Sequence, residues 1–299
     1  MPTSSKPSCS LDKIAAWFLR RLPSEHREQL YTSLEGACKD NLTLRMGTLC
    51  SGTDSPVPVL KQLSKALRGK LNIEHTFSCE CDARKRAWIR DNFGKFKHLF
   101  GDVKELCSDE AHNYITETNT PVPAVDIVIA GFVCKSVSSE NNERGKYSNC
   151  INDAVGKTGE TFKGVMDYVR RYNPPVVICE NVEGLVKRNE GREPVINDVR
   201  ASFINAGYAF DHKVLDTRHY LLPQRRRRCW MWAFYGPHHQ GQAELAAMDV
   251  KEGKLFFCYL SVCFLAFRVS VFSCFLALSV LLVSVFHVSL FASVFLCYP

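Results

Sequence analysis

From residue 44 onward the chain alternates short apolar runs with longer amphipathic stretches. The runs at 44–50, 73–79, 125–130, 176–179 and 229–234 are too short for helices and are bounded by turn-forming residues, which predicts strands. Apolar residues return at helical spacing over 56–68, 83–93, 160–171 and 194–206, which predicts amphipathic helices. Strands and helices in alternation, with continuous apolar strands, predict a parallel sheet covered on both faces, the doubly wound, Rossmann-like α/β architecture. Ligands of such sheets sit beyond the carboxyl ends of the strands, so the residues just after each run are where chemistry is expected.

This pattern bounds one domain over 44–236. Before it, Leu11, Ile14, Phe18, Leu22, Leu30 and Leu34 recur at near-helical intervals interrupted by Pro23, which predicts an N-terminal helical segment over 1–43. After it, a linker over 237–254 leads to an apolar tail, 255–299, that holds a single charged residue, Arg268. The stretch 269–286 is free of charge and long enough to be a candidate transmembrane span, which makes the membrane a possible partner. The same tail repeats Ser-Val-Phe at 270, 284 and 293 in a low-complexity composition, so translated noncoding sequence is the competing reading.

Charge and cysteine content narrow the class further. A formal charge of +7 favours a polyanionic partner. Fourteen cysteines would suit a disulfide framework, but the first 25 residues are charged and hold no apolar run of signal-peptide length, which favours a reducing compartment. Cys79 and Cys81 form a close pair without the second pair or histidines that structural zinc requires.

The strand ends carry the informative residues. They are, in order, the turn CSGTDSP at 50–56, Glu80, GFVCKS at 131–136 and Glu180-Asn181-Val182. Each has a plain reading alone: a turn, a solvated acid, a thiol that fills the core, a second acid. Their coincidence at one sheet edge points to a site. Gly101-Asp102 and the basic run QRRRR at 224–228 complete a set whose order resembles the cytosine-5 DNA methyltransferases over roughly 44–236. That resemblance implies an S-adenosylmethionine-dependent methyltransferase fold and methyl transfer to carbon 5 of cytosine in DNA, with RNA as a variant substrate and the nucleus as the location. It implies Cys134 as nucleophile, Glu180 as the acid at the base, and Arg226 and Arg228 as donors to it. It also implies cofactor contacts from Cys50, Ser51, Gly52, Thr53, Glu80, Cys81 and Asp102, and no metal.

The reaction accounts for these residue types. Carbon 5 becomes nucleophilic only after a thiolate adds to carbon 6. That addition needs a shielded carboxyl at ring nitrogen 3 and fixed guanidinium donors near oxygen 2. A stacked base must also be flipped out of the duplex, and the polar stretch 135–157 is expected to be a mobile loop that closes over it. Arg225 and Arg227, on the opposite side of an alternating strand, are expected to meet phosphates. Departures from the family pattern are Val133 and Lys135 beside the thiol, and Thr53, Asp54 and Ser55 in place of glycines. A target-recognition region and closing motifs are not found after Gly236, so the chain reads as a truncated core with weak cofactor binding and little sequence specificity. A noncatalytic cofactor- or nucleic-acid-binding module and a membrane-anchored protein of unrelated role are the competing functions.

Overall fold

The computed structural model describes residues 42–66, 71–93, 96–147, 149–188, 193–220 and 225–236. The expected helices within 1–41, Gln224, the linker 237–254 and the apolar tail with its 269–286 stretch lie outside the described residues. Among the described residues no helix is long and apolar enough to cross a membrane. The chain divides into two compact units, one of Leu44–Ser55 and Glu74–Ala247, the other of Met1–Thr43, Pro56–Ile73 and Met248–Pro299. Every site residue discussed below belongs to the larger unit.

The elements follow in the expected alternation. β1 (Leu42–Leu49), α1 (Pro56–Ala66), β2 (Leu71–Cys79), α2 (Ala83–Phe93) and β3 (His98–Phe100) lead to a hairpin of β4 (Glu110–Asn113) and β5 (Thr118–Pro121). β6 (Ile127–Ala130), α3 (Gly156–Tyr172), β7 (Val176–Val182), α4 (Ile196–Asn205), β8 (Tyr208–Asp216) and β9 (Arg227–Tyr235) complete the fold. The main sheet has the order β3-β2-β1-β6-β7-β9-β8. β2 with β3, β1 with β6 and β6 with β7 are parallel, whereas β9 runs antiparallel to both β7 and β8. The fold is thus the expected doubly wound type, with an antiparallel pair at one edge where the apolar runs alone suggested further parallel strands.

Local chemistry sets the element ends. The run at 125–130 yields a strand only from Ile127, because Asp126 turns its carboxylate onto the backbone N–H and guanidinium of Arg45 at 2.8–3.2 Å. α3 buries Phe162, Val165, Met166 and Val169, the i, i+3, i+4, i+7 set of one helix face. It stops at Asn173, which adopts the left-handed conformation and returns its N–H to Val169 O at 2.9 Å. Behind that face lies an aromatic chain in which Phe162 meets Phe132 at a 5.1 Å centroid distance and Phe203 at 6.1 Å. Phe203 meets Phe210 at 5.3 Å and Tyr208 at 5.9 Å. Two buried tyrosines satisfy their hydroxyls on carbonyls, Tyr168 on Pro123 O at 2.8 Å and Tyr208 on Pro174 O at 2.9 Å.

One mismatch in strand length creates the site. β6 ends at Ala130, opposite Cys179, while β7 continues to Val182 because β9 pairs with it through Val182 and Arg228. Glu180 and Asn181 therefore lie inside β7 rather than beyond it, and the flank of β7 that β6 vacates faces the loop carrying Cys134.

Candidate active site

The turn after β1 is built around left-handed residues, Cys50 at φ 52°, Gly52 at 59° and Asp54 at 56°. It is fastened to the end of β2 at three consecutive residues. Asp54 accepts from Ser78 Oγ, and Ser51 exchanges main-chain and hydroxyl bonds with Cys79 at 3.0–3.1 Å. Gly52 N–H donates to Glu80 Oε2 at 2.7 Å. The other Glu80 oxygen accepts from Asp82 N–H at 3.0 Å, so the carboxylate is aimed by two backbone donors. Cys81 is exposed, with its thiol 3.6 Å from Glu80 Oε1, and burial together with that carboxylate raises its pKa. Thr53 lies half-buried in the turn. Burial first, and Glu80 second, push the Cys50 thiol up to about 12, so it stays protonated at neutral pH.

Asp102 follows β3, which lies beside β2 through the bond from Glu80 N–H to Phe100 O at 3.1 Å. One Asp102 oxygen accepts from Lys104 N–H at 3.0 Å; the other lies 3.4 Å from Lys104 Nζ. Arg86 braces this corner by donating to the carbonyls of Glu80 and Cys81 at 2.9 and 2.7 Å while its guanidinium covers the Tyr114 ring at 3.9 Å.

The opposite half of the site is a loop held from two sides. Cys134 is half-buried on the segment after β6. Asn181, itself buried, donates to Phe132 O at 2.8 Å and accepts the Val182 N–H at 2.8 Å, which satisfies an amide at the end of β7. From α3, Thr161 Oγ1 accepts from Val133 N–H at 3.2 Å and Thr158 Oγ1 from Ser136 N–H at 3.0 Å. Three side chains thus fix main-chain groups at 132, 133 and 136, bracketing the thiol. Asn181 was legible only as part of its motif, and the two threonines were missed; their signal is a pair of hydroxyls three residues apart opening an otherwise amphipathic helix.

The stretch 135–157 differs from the free loop expected. Ser136, Val137, Cys150 and Ile151 are buried, whereas most of the described residues between them, and Lys135, Asn152, Asp153, Val155 and Lys157, are exposed. A Cβ on Gly184 would collide with the Val137 carbonyl, so the loop lies directly on the backbone after β7.

Glu180 pairs with Arg228, Nε to Oε1 at 3.0 Å, diagonally across the β7–β9 ladder. Its side chain is 28% exposed, so one face of the carboxylate is open although the group sits deep in the domain. Burial raises its pKa, while Arg228 and Arg226 oppose that shift. Arg226 is held by main-chain bonds with Thr217, at 2.9 Å to Oγ1 and 3.1 Å from Thr217 N–H. Arg227 projects the other way, as alternation predicted, but meets Glu183 at 2.8 Å in an ion pair; Arg225 is exposed. The two halves meet at Gly131, where a Cβ would stand 3.6 Å from Cys50 O and 4.0 Å from Glu180 Oε2. Cys50, Ser51, Gly52, Glu80 and Cys81 are therefore one cluster, Glu180, Arg226 and Arg228 another, and the Cys134 loop is tied to the second through Asn181.

Known proteins resemble this chain over much of its length. The sequence pattern of the family described as C-5 cytosine-specific DNA methylase matches residues 60–255. DNA (cytosine-5-)-methyltransferase DMT5 of Cryptococcus neoformans var. grubii is 36% identical over 195 residues, which are 64% of this chain and 8% of that protein. Type II methyltransferase M.MspI of a Moraxella species is 28% identical over 158 residues, 53% of this chain and 32% of the enzyme. The crystal structure of the S. pombe Dnmt2 methyltransferase aligns with a TM-score of 0.44 at 15% identity, covering 73% of this chain and 59% of that one. The chain thus spans only a small part of the fungal relative and about a third of the bacterial one.

Proposed function

Since the chain belongs to the C-5 cytosine-specific DNA methylase family, we propose that it methylates carbon 5 of cytosine in DNA through a covalent adduct on Cys134. The observation that carries this reading is the Asn181 bridge, which joins the backbone beside the thiol to the residue next to Glu180. The loop that carries Cys134 and the strand that carries Glu180 are thereby tied by one side chain.

S-adenosylmethionine fits the residues present. Each Glu80 oxygen takes a single backbone N–H, Oε1 has in addition only the weak donor of the Cys81 thiol at 3.6 Å, and the acceptor capacity left over suits the paired hydroxyls of a ribose. Asp102 has a partly exposed carboxylate suited to an amino group. When bound, the cofactor supplies an electrophilic methyl group on a sulfonium centre. Glu80, Asp102, Cys81 and the Cys50–Thr53 turn are the residues that would hold it.

The chain's own groups account for the rest. The Cys134 thiolate adds to carbon 6 of the cytosine, and the electron pair moves through the ring toward nitrogen 3 and oxygen 2. Burial raises the Glu180 pKa and so favours the protonated form that donates to nitrogen 3, and Arg228 and Arg226 offer fixed donors to oxygen 2. Once carbon 5 carries the methyl group, loss of its proton expels the thiolate and restores the ring. A DNA substrate fits a nuclear location, and the exposed Arg225 suits a phosphate contact.

The test is a duplex containing 5-fluorocytosine, supplied with S-adenosylmethionine. Fluorine cannot leave as the proton does, so the adduct should accumulate on the full chain and disappear in Cys134→Ser. An equal yield from the serine variant would assign the nucleophile elsewhere.

A further inference from the structure

Asp54 occupies a left-handed position, φ 56°, where the resembling pattern has glycine. Such a conformation persists in a side-chain-bearing residue only where its surroundings over-determine it. Here they do. The carboxylate is wholly buried, and Ser78 Oγ donates to Asp54 Oδ2. His75 Nε2 lies 2.8 Å from Ser78 Oγ and 3.4 Å from Asp54 Oδ2. Ser78 has one proton and gives it to the carboxylate, so its lone pair accepts from His75 Nε2–H. The imidazole is itself fixed, stacked on Phe96 at a 4.4 Å centroid distance and edge-on to Phe93 at 6.3 Å.

The three residue types are those of a hydrolytic triad, but the arrangement is not. The serine bonds the carboxylate rather than presenting a nucleophile, and all three residues are buried. Asp54 Oδ1 and His75 Nδ1 are moreover buried without hydrogen-bond partners among the described residues. A polar trio carrying that cost is poor ballast for a core, and an apolar filler would be cheaper. What the trio does reach is the turn: it supplies the third of three successive fastenings, beside those at Cys79 and Glu80.

We propose that Asp54, with Ser78 and His75, is a positioning residue that fixes the turn so that Gly52 N–H aims the Glu80 carboxylate at the cofactor ribose. On this view Asp54 replaces the freedom of glycine by an enforced geometry, and the loss of turn glycines does not by itself weaken cofactor binding. The inference rests on the cofactor reading given above.

Calorimetry on the full chain with S-adenosylhomocysteine as the probe tests it. Asp54→Gly releases the backbone and removes the carboxylate, and should weaken Kd by about tenfold. Under steady state the KM for S-adenosylmethionine should rise in parallel while kcat at saturation stays within about twofold. Ser78→Ala should match it, and the double variant should be no worse than either single. Asp54→Asn, which keeps an acceptor for Ser78, should recover most of the affinity. Unchanged Kd in Asp54→Gly and Ser78→Ala, with only Tm lowered, would overturn the proposal. Should Asp54→Gly fail to fold, Ser78→Ala decides by the same criterion, an unchanged Kd overturning the proposal, while Asp54→Asn should still bind nearly as the unaltered chain does. An unaltered chain that binds no probe would overturn the cofactor reading and this inference together, whereas binding that ignores the trio overturns this inference alone.

Discussion

Replacing Thr158 by valine tests how the nucleophile is held. The two side chains are nearly the same size, and Thr158 is completely buried, so the change removes a hydrogen-bond acceptor without opening a cavity. The Ser136 N–H, 3.0 Å from Oγ1 and also buried, then loses its partner, which costs about 1–3 kcal/mol if the loop stays in place. The loop has an alternative, which is to move the N–H toward water and carry Cys134 with it. In the first case the protein loses that stability and the thiol keeps its place. In the second the loss appears as rate, and about 1.4 kcal/mol is a tenfold change. Among the described residues the other side-chain bonds to the backbone of this segment are single ones, from Asn181 at Phe132, Thr161 at Val133 and Asn141 at Lys135 O, 3.0 Å, so the second case is expected. Adduct formation with 5-fluorocytosine DNA should slow by about tenfold, with cofactor Kd unchanged and a change in unfolding free energy below about 1 kcal/mol. Rapid quench of the adduct and urea unfolding of the same variant measure the two quantities. A full stability loss with an unaltered adduct rate would refute the idea that the threonine positions the thiol.

Two further outcomes follow from the site. Arg228→Leu should reduce kcat by about a hundredfold as a donor to the base is lost. It should also shift the pH profile: Arg228 holds the Glu180 pKa down against burial, so its removal raises that pKa further. The active, protonated acid then persists to higher pH, and the falling alkaline limb of kcat/KM moves upward; a limb that stays or moves downward would remove Glu180 from the acid role. Glu80→Ala should weaken S-adenosylhomocysteine binding by about 10- to 100-fold in calorimetry, since charge-assisted hydrogen bonds are lost and the Gly52 and Asp82 N–H groups are left without the carboxylate, and an unchanged Kd would exclude it from the site.

The sheet was readable where strands are apolar on both faces, and β1, β2, β6, β7 and β9 all emerged from their runs. β8 was missed because it lies at an edge: Tyr208 and Phe210 are buried while Ala209 and Asp211 are less covered, a period-two pattern that a search for continuous runs passes over. β3 has three residues and β4 and β5 four each, too little for any periodicity. The residues proposed to carry chemistry stand out as motifs, since the demands of the proposed reaction restrict Cys134, Glu180 and Arg228 to a few residue types. Their supports were not. Thr158, Thr161, Ser78 and His75 act through hydroxyl and imidazole bonds to segments far away in sequence, and any of them would read alone as an ordinary polar residue of a helix or strand. The extension of β7 past β6 was hidden for the same reason, because it is dictated by the pairing partner β9 and not by β7 itself.

The threefold fastening of the turn to β2 constrains how this region can change over descent. A strand's side chains swap faces with every residue added or removed. An insertion or deletion just before Ser78 would turn both Ser78 and Glu80 away and unfasten Asp54 and Gly52 in one event. Length at the end of β2 is therefore a fixed quantity, and the segment can diverge only by substitution. Even there the path is coupled: a return to glycine at position 54 strands Ser78 and His75 as buried polar groups, so the turn and the strand 24 residues away must change together.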